Sequence, residues 1–131
     1  MSEPSSMRTP LGRAIGLGSA KEGVAHWWAQ RVTAVALVPL TLWFCVGLIA
    51  HVGADRAKVL LWLGRPLPAI LMLLLLSAGF HHMALGLQVV IEDYVHAEWA
   101  KIAALVLNRF VAYGLAVAGI FAVMRIALLG A

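Results

Sequence analysis

Charge is scarce in this chain. Of 131 residues only ten are basic and six acidic, a charged fraction of 12%, where a soluble globular domain carries about a quarter. With 63% hydrophobic residues and a mean hydropathy of +0.92, a water-soluble fold is excluded and a membrane protein is expected. Cysteine is almost absent as well: the single Cys45 excludes an intrachain disulfide and, lying in an apolar run, says nothing about redox compartment. Length sets a further limit, because only about three helical spans of roughly 20 residues fit, which leaves no room for a repeat-built transporter or a sizeable aqueous catalytic domain. The net charge of +4 does not point to nucleic acid, since the basic residues stand singly between apolar runs and form no patch. They read as charges flanking a lipid bilayer.

What is present falls into an all-α, three-span order. Residues 1–25 hold Ser, Pro, Gly, Arg8, Arg13 and Lys21 but no apolar core of about 7–15 residues, so they read as a polar tail rather than a signal peptide. The membrane domain is expected over 26–131. Its first span, 32–50, is uncharged and bracketed by Trp27, Trp28 and Arg31 before and His51 after, the pattern of an interfacial belt. Pro39 in its middle removes a backbone donor, a defect that the Thr33 and Thr41 hydroxyls or neighbouring helices can offset. Residues 51–68 read as a loop with a short interfacial turn around Trp62. The second span, 69–91, has no formal charge but carries Ser77, His81, His82 and Gln88. An acidic connector leads to the third span, 102–129, where Ala112, Ala116, Gly119 and Ala122 recur at spacings that let helix backbones approach closely. With the N-terminus inside, five basic side chains fall on the cytoplasmic side against four outside, so the positive-inside rule leans towards that orientation.

Ionisable groups inside a span are costly unless they meet a partner or a cofactor, which draws attention to His81 and His82. The ordinary role of such a histidine is a hydrogen bond to a neighbouring helix. The helical angle adds to that: Gly79, His82, Gly86, Val89 and Asp93 lie within about 80° of one another on one face. An imidazole flanked one turn either way by glycines has room for a flat macrocycle, as a haem ligand needs. His81 points about 100° away from this face and cannot bind the same iron from the opposite side. The other histidines, His26, His51 and His96, sit at span ends, so a second axial ligand is expected from another chain.

Asp93 and Tyr94 close the second span about 16 Å of helix rise beyond His82, at the membrane surface. Both residue types are ordinary there. A phenol beside a carboxylate also suits a quinone headgroup, whose carbonyls take hydrogen bonds and, on reduction, protons. Arg31 is a snorkelling anchor in its plain reading and a partner for a haem propionate or the quinone pocket in the sharper one, with His26 able to share the task. Cys45, Gln88 and Arg109 read as packing, interhelical hydrogen bonding and snorkelling.

The stretch GVAHWWAQRVTAVAL around Arg31, followed by HMALGLQVVIEDYVH with histidine 11 residues before an Asp-Tyr pair, resembles the small hydrophobic membrane anchor of succinate dehydrogenase (respiratory complex II), of the D type. The likeness extends over the whole arrangement of tail, three spans and connector. The Ser-x-x-His-Arg-type signature of the companion anchor, the C type, is missing. The resemblance implies that His82 is an axial, metal-binding ligand of haem b, with the other ligand from the companion anchor, and the double histidine leaves His81 as the alternative. It implies further that Tyr94 hydrogen-bonds ubiquinone, that Asp93 meets an arginine of the companion anchor, and that Arg31 and, with looser spacing, His26 lie near the haem propionates and quinone site. A flavoprotein subunit would oxidise succinate and an iron–sulfur subunit would pass electrons to quinone at the anchor, in a bacterial-type inner membrane with the N-terminus in the cytoplasm. Two other readings stay open: a homo-oligomeric b-type haem electron carrier in which two copies of His82 face each other, and a cofactor-free structural membrane subunit.

Overall fold

A computed structural model describes residues 9–11 and 21–129, and these are helical almost throughout; most of the expected polar tail lies outside the described residues. Four helices follow in order: α1 (Lys21–Ala50), α2 (Arg56–Leu63), α3 (Pro66–Tyr94) and α4 (Glu98–Leu129). Three of them, at 28 to 32 apolar residues, are long enough to cross a membrane, which takes about 20. Helix α3 is central, with α1 packed on one side and α4 on the other, while α1 and α4 do not pack against each other.

The packing is carried by small residues. Among the described residues the buried apolar positions are Ala69, Ala84, Ala112, Ala116 and Val123, whereas the bulky side chains face outward, as expected where lipid or another membrane chain replaces water as the surroundings. The stripe on α4 runs Ala112, Ala116, Gly119, Val123: a Cβ on Gly119 would sit 3.1 Å from Leu76 Cδ1. Ala122, expected to extend it, is exposed, because the step from 119 that stays on the face is four residues rather than three. Asn108 fastens the same seam, donating from Nδ2 to the Ala84 carbonyl at 2.9 Å.

Three local expectations change. Residues 51–68 contain a two-turn helix, α2, rather than a bare turn, because Asp55 caps its N-terminus by accepting from the Lys58 amide at 2.9 Å; a capped end satisfies donors that otherwise need water. The acidic connector shrinks to residues 95–97, since Glu92, Asp93 and Tyr94 belong to α3 and Glu98 opens α4. Thr33 does not serve the gap that Pro39 leaves: its hydroxyl lies against the carbonyls of Ala29 and Gln30, a turn and a half before that of Val35.

At the far end of α1, Trp62 of α2 stacks on Trp43 and leans on His51, with ring centroids 5.7 Å and 4.6 Å away. His51 Nδ1 in turn bonds the Gly47 carbonyl at 2.8 Å. A Cβ on Gly47 would lie 2.7 Å from Trp62 Cζ2, so the indole would have to give up its contacts with Trp43 and His51 to make room. Gly47→Val should therefore lower stability by about 1–3 kcal/mol through overpacking. Thermal unfolding in detergent checks this, and an unchanged midpoint would mean that α2 does not sit against α1.

Candidate functional site

The two adjacent histidines of α3 are sorted to opposite neighbours. His82 turns to α1, with Nδ1 3.0 Å from Thr33 Oγ1, and His81 turns to α4, with Nδ1 3.1 Å from the Tyr113 hydroxyl. Their 100° separation on the helix is what allows one to serve each flank of the central helix. Both hold the interhelical hydrogen bond that is the ordinary role of a membrane histidine.

His82 also borders an open apolar groove, of about 420 Å³, which it lines with Ala34, Leu37, Val38, Thr41 and Leu42 of α1. Arg31 lies within about 20° of Val38 and Leu42 on α1, about two turns nearer the N-terminus than Val38, on the helix face that lines the groove. Its guanidinium rests over the Trp27 ring, 5.4 Å from the centroid, a cation–π contact that holds the charge near the membrane edge. The glycines on the His82 face prove to adjoin α1: a Cβ on Gly79 would lie 3.8 Å from Leu37 Cδ2, and one on Gly86 would lie 4.0 Å from Gln30 Nε2. Part of the room beside them is thus filled by α1 itself, and the open space begins on its flank.

His26 does not join Arg31. The two are about 140° apart on α1, and His26 faces a separate cavity of about 410 Å³ lined by Leu85, Gln88, Val89, Glu92 and Arg109. Its Nε2 is buried without a hydrogen-bond partner among the described residues, while Gln88 donates to Glu92 at 2.9 Å. Arg109, read from the sequence as a snorkelling anchor, reaches this cavity; a charged side chain two turns inside a span is the signal that marked it. Asp93 and Tyr94 end α3 on the side of the membrane where α1 begins, and both are exposed, Tyr94 to 77%. A larger cavity, about 920 Å³, lies at the opposite end beside Asp55, Arg56 and Arg65 and touches none of these residues.

An apolar groove bordered by an imidazole, with an arginine on the same helix face nearer the membrane edge, can take a flat apolar ligand with an anionic edge. Among the described residues no group of three or more His, Cys, Asp or Glu side chains is placed to hold a metal ion, so any metal at His82 needs ligands from elsewhere. Sequence comparison gives the setting: residues 5–116 match the model of the succinate dehydrogenase/fumarate reductase transmembrane subunit family. The chain belongs to that family.

Curated relatives within it include the succinate dehydrogenase hydrophobic membrane anchor subunit of Paracoccus denitrificans, 35% identical over 92% of this chain and 92% of its own length. The Rickettsia bellii protein of the same name is 39% identical over 67% of this chain and 70% of its own. The succinate dehydrogenase membrane anchor subunit of Reclinomonas americana is 32% identical over 70% and 79% respectively. No solved structure matches. Membership in this family, with three apolar helices long enough to span, makes the chain a multi-pass membrane anchor subunit of succinate dehydrogenase, whose few polar side chains are then the places to look for its contribution to the complex.

Proposed function

We propose that this protein forms half of a two-chain anchor, supplying one axial ligand, His82, to haem b and one wall of a ubiquinone pocket. The observation that carries this reading is the apolar groove beside His82, with Arg31 on the same face of α1 as Val38 and Leu42, nearer the N-terminus. When bound, haem b supplies a one-electron redox centre inside the membrane. His82 offers it a ring nitrogen, the side chains from Ala34 to Leu42 exclude water, and Arg31 balances the negative charge of a propionate. His26 faces another cavity, so the propionate role is proposed for Arg31 alone.

A second ligand has to come from the companion anchor. His51 is taken by the Gly47 carbonyl and Trp62, His81 by Tyr113, His26 by its own cavity, and His96 lies in the connector. At the membrane surface the Tyr94 phenol donates a hydrogen bond to a quinone carbonyl, and Asp93 orients an arginine of the companion anchor that completes the pocket. Quinone reduction to quinol consumes two electrons and two protons; the electrons come from succinate through the flavoprotein and iron–sulfur subunits, and the exposed position of Tyr94 and Asp93 gives the protons access from water. We place this end and the N-terminus on the cytoplasmic side of a bacterial-type inner membrane, following the five-to-four balance of basic residues.

Purification in mild detergent, with an absorption spectrum, tests the whole reading. A b-type haem band with co-purifying flavin and iron–sulfur subunits is expected. Haem without those subunits would instead support a homo-oligomeric electron carrier, and absence of haem a purely structural anchor.

A further inference from the structure

Among the described residues His82 has one hydrogen-bond partner, the Thr33 hydroxyl, and the direction of that bond follows from what else the hydroxyl touches. Thr33 Oγ1 is 2.7 Å from the Ala29 carbonyl oxygen and 3.1 Å from that of Gln30. A hydroxyl has a single proton to give. If it went to His82, Oγ1 and the Ala29 oxygen would face each other as two acceptors at 2.7 Å with no proton between them. The proton therefore goes to the carbonyl four residues back, a habit of helical threonine, and Oγ1 turns a lone pair to the imidazole. Nδ1 of His82 is then the N–H, and Nε2 carries the lone pair.

We propose that Thr33 is a positioning residue that fixes His82 as the Nδ1–H tautomer and holds its ring so that Nε2 is presented to the iron; this rests on the haem reading above. A metal-binding histidine is oriented and made more basic by the group that accepts its other N–H, and loss of such a group costs about 10- to 100-fold in metal affinity. Here that group stands on a different helix, so the packing of α1 on α3 sets the ligand's geometry. His81 lacks such a device. Tyr113 has no second acceptor among the described residues, so its phenol is free either to give its proton to His81 Nδ1 or to accept one from it, and nothing fixes that tautomer. Two neighbouring histidines are thus distinguished by whether a threonine or a tyrosine stands opposite.

The test uses the intact complex in membranes, with haem content normalised to dye-linked succinate oxidation by the assembled soluble subunits. Thr33→Val and the smaller Thr33→Ala are expected to retain haem at least about tenfold less well on detergent washing and to shift the electron paramagnetic resonance signal of the ferric haem. Thr33→Ser, which keeps the hydroxyl, restores both. Wild-type haem retention and an unshifted signal in Thr33→Val or Thr33→Ala, with haem lost in His82→Ala, overturn the role of Thr33 and leave the haem reading intact. Haem retained in all of these variants overturns that reading instead. In the wild-type complex, redox-difference infrared spectra of histidine-labelled protein should show a hydrogen-bonded Nδ1–H ligand band, and only free N–H bands would overturn the proposal without recourse to a variant.

Discussion

Replacing His82 by Ala should abolish the b-type haem spectrum proposed for the assembled complex, while His81→Ala should leave it. The first substitution removes the imidazole at the groove that Ala34, Leu37, Val38, Thr41 and Leu42 complete, and no neighbour can replace it: Ser77 bonds its own helix at the Leu73 carbonyl, and His81 is turned towards α4. With only the companion anchor's ligand left, affinity should fall by at least the 10- to 100-fold that loss of a mere supporting group brings. The second substitution costs one interhelical hydrogen bond, worth about 0.6 kcal/mol on average between membrane helices, which the Asn108 to Ala84 bond and the small-residue seam of α3 with α4 can absorb. Absorption spectra of the two variants, matched for succinate–dye activity, decide between them. A normal spectrum in His82→Ala and a lost one in His81→Ala would move the ligand across the central helix.

Tyr94→Phe should lower succinate–quinone turnover by about ten- to a hundredfold and leave succinate–dye activity of the soluble subunits unchanged. A quinone carbonyl that gains negative charge on reduction draws more from a phenol donor than the neutral quinone does, and a hydrogen bond to a charged group is worth about 1.5–3 kcal/mol, the origin of that factor. Phenylalanine keeps the ring and its packing, so the loss isolates the hydroxyl. Because Tyr94 ends α3 and is exposed, its removal does not disturb the helix seams. Equal loss of both activities would show a defect in assembly or in the docking of the soluble subunits, and normal quinone turnover would remove Tyr94 from the pocket.

Much of the site was legible in the sequence because helical periodicity is a local property. The angle that sets His82 apart from His81, and the 11 residues that carry it to Asp93 at the membrane surface, need only a regular helix. Arg31 and His26 show where that reasoning stops. They are close in sequence and both stand before the first span, and a resemblance to known anchors groups them; on the helix they diverge by about 140°, one towards the groove and the other towards Gln88, Glu92 and Arg109. Arg109 was underrated for a related reason, since its value depends on a cavity built by two other helices. The small-residue stripe was right at Ala112, Ala116 and Gly119 and wrong at Ala122, because spacings of three and four both occur and only the neighbouring helix selects between them.

By itself the sequence determined that the chain is a three-span membrane protein with only a handful of polar side chains in its spans, and it set the expectation that a haem at His82 would take its second ligand from a partner. Those conclusions follow from hydrophobic length, from the cost of ionisable groups in lipid and from a count of histidines. Only the tertiary structure decided which neighbour each histidine meets, that the glycines beside His82 adjoin α1, and that the Thr33 hydroxyl stands opposite His82 Nδ1. Such contacts depend on which helices lie side by side and at what register, and that is set by small-residue packing between segments dozens of residues apart, a relation that the periodicity of any one helix does not contain.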